Sequence, residues 1–299
     1  LDLFNATTVT NGGGLWSSAG TGATAIQLIG NTTSTATDRP AGIYINNGGG
    51  AAYIALLKAT GGGDISISGT TSSTLNDINI QYTNILAANG AISILGGTRT
   101  MVLGGSTGTV NIGYLAGSDV TSNTGSITLK TNNLDISTAA GSSIATSGTV
   151  TIAPTTNTQQ VLIGGGDSGG YLGLLSAELS KISAGTLRIG AVDGTNTGNI
   201  QITGFIDVSS KITTLALRTA GNVSEGTNAY VVVTNLGVSV GGSIAISQLS
   251  NNVTTLALVT SAGTPSVAYN EISTSTYTPG TVDSIVGVFG VATAASVNA

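Results

Sequence analysis

An all-β chain wound as a solenoid of parallel strands is the fold this sequence predicts, and three observations lead to it. The first is a near-repeated phrase. ITTLALRTAG begins at Ile212 and VTTLALVTSAG at Val253, and their first threonines, Thr213 and Thr254, lie 254 − 213 = 41 residues apart. That separation is too long for one coil of a stacked repeat and fits two, which sets the coil at about 20 residues. The second is a shorter phrase, Gly followed by two aliphatics that are themselves two residues apart. It begins at Gly63, Gly90, Gly108, Gly125, Gly148, Gly185, Gly198 and Gly242. In a strand the two aliphatics share one face and the residue between them takes the other, while the Gly supplies a sharp turn into the strand. The steps between starts run from 13 (198 − 185) to 44 (242 − 198), so the loops vary and the repeat is not a rigid consensus.

The third observation is composition. Gly supplies 45 of 299 residues and charged residues only 7%, so a long helix would lose about 1 kcal/mol at each Gly and lack the Glu, Lys and Arg that favour it. A hydrophobic content of 40%, rich in Val and Ile, sets the chain apart from disordered segments. The 13 acids and 8 bases are scattered singly, and without a Lys/Arg cluster the chain is not expected to bind nucleic acid. It contains neither Cys nor His, which removes disulfides, thiolate and imidazole metal ligands, Cys nucleophiles and a Ser-His-Asp arrangement. No apolar stretch reaches the ~20 residues of a transmembrane helix.

Taken in order, the chain reads as one solenoid over 1–299, roughly 14 coils at the predicted length. LDLFNATTVT at 1–10 is a weak strand that begins or caps the stack. Trp16, the single Trp, reads as a cover over an open core in preference to a ligand platform. Asp38-Arg39-Pro40 is a loop. AAYIALLKA at 51–59 is the best local helix candidate, but its turn-rich flanks favour a strand or a short insertion. Between Gly63 and Pro154 the alternation is most regular, punctuated by Asn76, Asn89, Asn132 and Asn133, which tolerate turn conformations. GGGDSGGYLG at 164–173 is the strongest break and a candidate subregion boundary. Inward positions are Ile127, Leu129, Val150, Ile152, Leu187, Ile189, Leu215 and Leu217, with the residues between each pair facing outward.

Candidate chemistry is sparse. GGGD recurs at 61–64 and 164–167, but calcium-binding β-rolls need Gly-Gly-x-Gly-x-Asp in tandem, and these copies are isolated. Asp193 and Asp207 with Arg188, Lys211 and Arg218 form the best carboxylate and base set for polysaccharide chemistry, yet they read more simply as solvated surface charges. Asn-x-Ser/Thr at Asn5, Asn31, Asn222 and Asn252 is no more frequent than so Asn- and Thr-rich a chain produces by chance. No catalytic, cofactor-binding or metal-ligating residue is therefore assigned.

SAELSKISAGTLRIG (176–190), TGNIQITG (197–204) and GGSIAISQLSNNVTTLAL (241–258) resemble the repeat region of filamentous-haemagglutinin-like exoproteins, the adhesins exported by two-partner secretion. The resemblance is best over 174–263 and extends to 63–154 by cadence. It implies a right-handed parallel β-helix, a place outside the cell on a bacterial surface, and a fibrous or adhesive role without catalysis, with glycans of host cells, surfaces or matrix as partners. Alternatives are a β-helical polysaccharide lyase or hydrolase, a tailspike-like glycan binder, and an ice-binding surface suggested by Thr149-x-Thr151. Self-association is also expected. Unpaired backbone groups on terminal coils template further strands, and the segments 1–10 and 284–299, the latter an uncharged SIVGVFGVATAASVNA, are candidates to dock head-to-tail on a second copy and build filaments.

Overall fold

The computed structural model describes residues 14–33, 41–46, 54–72, 74–105, 108–191, 195–261, 266–272, 278–286, 288–289 and 294–298. Among these residues nearly all regular structure is strand and the ladders run parallel, the antiparallel hairpin Thr281–Val282 with Ile285–Val286 being the exception. One helical turn, Ser176–Leu179, was not legible in advance; Glu178 folds back to accept the Leu175 N–H at 2.8 Å. Of the helix candidate at 51–59, Ala55–Ala59 is a strand and 51–53 lie outside the described residues.

The chain divides into two compact units, residues 1–151 with 181–184 and residues 152–180 with 185–299. In the first, each coil has three sides. Strands Gly14–Ser17, Ala55–Ala59, Thr83–Ala87 and Val110–Gly113 stack on one. Thr24–Thr32, Asp64–Thr71, Ile92–Leu95 and Ile127–Lys130 stack on the next. Ala41–Asn46, Asn76–Gln81, Thr100–Leu103 and Asn133–Ile136 form the third. Inward rows are aliphatic and in register, such as Ile65–Ile92–Ile127 and Ile43–Ile78–Met101–Leu134, all buried. Each such side chain contributes roughly 1.5–3 kcal/mol by leaving water. Coil length is uneven here: Gly14 pairs with Leu56, 42 residues on, Leu56 with Asn84, 28 on, and Ile92 with Ile127, 35 on. The strands repeat, and the loops absorb the difference.

From Ile200 onward the second unit keeps a nearly constant step, after one of 39 from Val161 to Ile200. Leu215 pairs with Leu236, 21 residues on, and Leu236 with Leu256, 20 on. On another side Ile200, Val223, Ile244 and Val267 follow at 23, 21 and 23. Two coils therefore separate the near-repeated phrases, as their 41-residue spacing predicts. The coil between them, in Tyr230–Val240, shows the same alternation of buried and open positions in different letters. Ile212 and Leu215 both face inward although three residues apart, because the strand turns a corner at exposed Thr213; Thr234 and Thr254 occupy the same corner one and two coils later.

The stretch 164–173 lies inside this unit, as the connection from Gln160–Ile163 to Tyr171–Leu174, which pair in parallel at a step of 11 (Gln160 with Tyr171). Of the segment 284–299, Val288–Phe289 pairs with Asn252–Thr260 and Ala294–Asn298 pairs with Ser266–Asn270, so it extends the ladders of its own chain. Residues 1–10, Asp38, Arg39 and Pro40 lie outside the described residues.

The eight predicted inward aliphatics are all buried. The glycine before them has a different cause from the one its sequence context suggests. Gly63, Gly90, Gly125, Gly148, Gly198 and Gly242 do not have positive φ, so no special turn demands them. They are sites where successive coils touch, backbone to backbone at all but Gly242, which meets the Asn222 side-chain amide first. A Cβ on Gly90 would lie 2.1 Å from the Gly63 carbonyl oxygen, one on Gly125 2.2 Å from that of Gly90, and one on Gly198 1.9 Å from that of Gln159.

The corner beside these glycines is built the same way in both units. Thr146 Oγ1 donates to the carbonyl of Asn123 or of Gly125, and Asn123 Oδ1 accepts the Gly125 N–H at 2.7 Å. Thr219 stands in the same relation to Asn196 and Gly198, with Asn196 Oδ1 accepting the Gly198 N–H at 3.1 Å.

Candidate functional site: the outward faces of the coils

With the aliphatics turned inward, function falls to the residues between them. On the second side of the first unit, Gln27, Ser66, Ser93 and Thr128 share one register position, a row of small polar groups repeating at the ~4.8 Å strand spacing. On the third side the corresponding row is Tyr44, Asn79, Val102 and Asp135. Two strand positions along, Asn46 and Gln81 pair in register; Asn46 Nδ2 donates to Tyr44 Oη at 2.8 Å and Gln81 Nε2 to Asn79 Oδ1 at 2.9 Å. Tyr44, Asn46, Gln81 and Asp135 keep exposure on this face, while Asn79 and Val102 are buried.

The charged set singled out from sequence does not gather around its own acids. Asp207 is exposed and accepts from the backbone N–H and hydroxyl of Ser209, at 3.1 and 2.7 Å. Lys211 donates to the Ser180 carbonyl. Asp193 lies outside the described residues. Arg188 and Arg218 do converge, but on Asp283. Arg188 Nε and Nη2 meet the two Asp283 oxygens at 2.8 and 2.5 Å, and Arg218 Nε meets Oδ2 at 3.1 Å while its Nη2 donates to the Asp283 carbonyl. Burial pushes the Asp283 carboxyl up, but the hydrogen bonds and charges of the two guanidiniums outweigh it and hold the group below the ordinary aspartate value.

Asp283 is missed by local reading because its partners lie 95 and 65 residues upstream. The available signal is TVDSIV, two apolar-ended pairs around Asp-Ser, the pattern of a two-residue hairpin. Asp283 and Ser284 take φ of 48° and 65°, both positive as a type I′ turn requires. The hairpin explains an exception among the outward positions. Ala216, Gly237 and Ala257 pair in register on the outer side, yet Ala257 is fully buried, because Val282 and Ile285 pack over it and lie against Gly237; Ala216, in the same column, is fully buried too. Ala216 is thus outward but not exposed, a correction to simple alternation.

Other acids serve the backbone. Asp77, 1% exposed, accepts the N–H groups of Thr71, Gly97 and Arg99 at 2.7–2.8 Å and so ties a corner of its own coil to the next one. Of the two GGGD acids, Asp64 accepts the Ala91 N–H and Asp167 that of Gly173. Glu225 follows Ile202 in register and accepts from Gln248 N–H and Asn251 Nδ2; burial raises its carboxyl above the usual value, only partly offset by those bonds. Among the described residues no three His, Cys, Asp or Glu side chains are grouped to hold a metal ion, and no helix is long and apolar enough to cross a membrane.

Trp16 does not cover the core. It is 69% exposed on the outer side, with Lys58 Nζ 5.9 Å from its ring centroid and 2.5 Å from Asp119. No family model matches the chain, and no curated protein or solved structure matches it.

Proposed function

We propose that the chain is a non-enzymatic structural and adhesive solenoid of the bacterial cell surface, working outside the cell and binding glycans along its coil faces. The observation that carries this reading is the third side of the first unit, where Tyr44, Asn46, Gln81 and Asp135 keep exposure on stacked coils. Side-chain amides and carboxylates pair with sugar hydroxyls, and a face that spreads them over several coils suits an extended polymer better than a small molecule. Meanwhile Asp64, Asp77, Asp167 and Asp283 are engaged in holding coils together, which favours a scaffold over a catalytic centre. The cadence shared with filamentous-haemagglutinin-like repeats points the same way, as does the parallel stack, which accepts further strands of a second copy along its ladder direction and so supports head-to-tail filaments.

The test is binding of the purified chain to an array of neutral and acidic glycans, with Gln81→Ala and Asp135→Ala as variants. Retention that falls with both variants at unchanged melting temperature supports the reading; release of reducing sugar, or retention indifferent to both, overturns it. Light scattering on the same preparations reads the filament component, for which a monomer at high concentration is the contrary result.

A second reading, ice binding, is favoured by the Ser66–Ser93–Thr128 row. Freezing-point hysteresis abolished by Ser93→Tyr would support it.

A further inference from the structure

We propose that the hairpin Thr281–Val286 is a latch that ties the strands carrying Arg188, Arg218, Gly237 and Ala257 into a block that opens as one. In a solenoid each coil touches only its neighbours, so stability is a sum of adjacent terms and coils can open one after another. The hairpin breaks that rule. It lies across the outer side, where Val282 and Ile285 cover Ala257 and lie close against Gly237, with Val259 packed alongside. A Cβ on Gly237 would stand 3.0 Å from both Val282 and Ile285, so the column is small where the hairpin needs room. Its turn is fixed by one carboxylate shared between two guanidiniums on different strands, Arg188 within Ile182–Gly190 and Arg218 within Ile212–Thr219. The Asp283 side chain is 9% exposed and the arginines 19% and 13%, so water competes weakly for these bonds. A segment of six residues therefore bridges strands that sequence places 30 (218 − 188) to 69 (257 − 188) residues apart. None of this depends on the adhesive reading.

The test is native-state hydrogen exchange on the full chain, comparing wild type with Asp283→Ala. In the wild type, amides of Ile212–Thr219, Tyr230–Val240 and Asn252–Thr260 should share one opening free energy. In the variant the three should separate, with exchange in Asn252–Thr260 rising about tenfold or more ahead of Ile212–Thr219, as loss of a charge-assisted bond predicts. Acceleration confined to 278–286, or strands already graded in the wild type, would overturn the latch. Should Asp283→Ala fail to fold, Asp283→Asn keeps the shape of the turn and removes its charge. The same separation of the three strands is then expected, and an unchanged common opening contradicts the proposal.

Discussion

Two segments reach back across the outer sides of their units, and they do so with unequal grip. In the first unit the turn Leu115–Val120, closed by the Leu115 N–H on the Val120 carbonyl, carries Asp119 to Lys58. In the second the hairpin Thr281–Val286 carries Asp283 to Arg188 and Arg218. Asp119 keeps 63% of its side chain in water and has one flexible lysine, whereas Asp283 keeps 9% and has two planar forks. Bidentate pairing in a partly dry setting holds far better than an exposed ion pair. Similar placement thus yields an anchor in one unit and a contact of little consequence in the other.

The largest expected effect breaks the ground beneath the stronger anchor. Leu215, 1% exposed and facing inward between Thr214 and Ala216, is changed to Asp, which buries a charge in a packed row and should cost about 4 kcal/mol or more. Thermal melting followed by circular dichroism reads it. Gly237→Val comes next: its side chain would meet Val282 and Ile285, and pushing the hairpin away should cost about 2 kcal/mol. Asp283→Ala leaves two guanidiniums without their shared carboxylate. Because both retain some contact with water the cost is discounted to about 1–2 kcal/mol, with either single Arg→Gln change costing less. Asp119→Ala should leave the melting temperature unchanged, and a drop comparable to that of Asp283→Ala would erase the contrast between the two anchors.

Acidification sharpens the comparison. The Asp283 carboxyl is held below its ordinary value, so its contribution is complete above the unfolded aspartate pKa, near 4, and is lost as pH falls through the folded one. Glu225 runs the other way. Its carboxyl is raised, so the stabilising influence of its proton is complete below the unfolded glutamate pKa and disappears as pH rises through the folded value. Melting temperature against pH should therefore lose part of its acid-side fall in Asp283→Asn and part of its decline toward neutrality in Glu225→Gln. Identical profiles for both variants would contradict the assignment of the two groups.

How much of this was legible depended on how local the cause is. The inward aliphatics and the double coil between Thr213 and Thr254 could be read directly, because that part of the second unit keeps its step near 20. In the first unit steps from 23 (Ile78 to Met101) to 42 (Gly14 to Leu56) leave only the short Gly phrase as a guide. That phrase located the strands while misassigning the reason for Gly, since the nearness of one coil's backbone to the next is not encoded within either coil. Asp77 and Asp283 were missed for a related reason: beyond the local Thr71 N–H, their partners lie 20–22 and 65–95 residues away. Reading Trp16 as a cover over an open core leaves out the face its register gives it, and it pairs with outward Lys58.

The coil itself is tested most directly by cysteine pairs, which a chain with no native cysteine allows. Thr214, Asn235 and Thr255 stack in register on successive coils, about 4.8 Å apart per step. Under mild oxidation T214C/N235C and N235C/T255C should each form an intramolecular disulfide, since neighbouring Cα atoms fall within the ~4.4–6.8 Å that a disulfide spans. T214C/T255C, two coils apart at about 9.6 Å, should remain reduced. Efficient closure of T214C/T255C together with free thiols in the other two would show a 41-residue coil and contradict the stacked 20-residue solenoid on which every outward face depends.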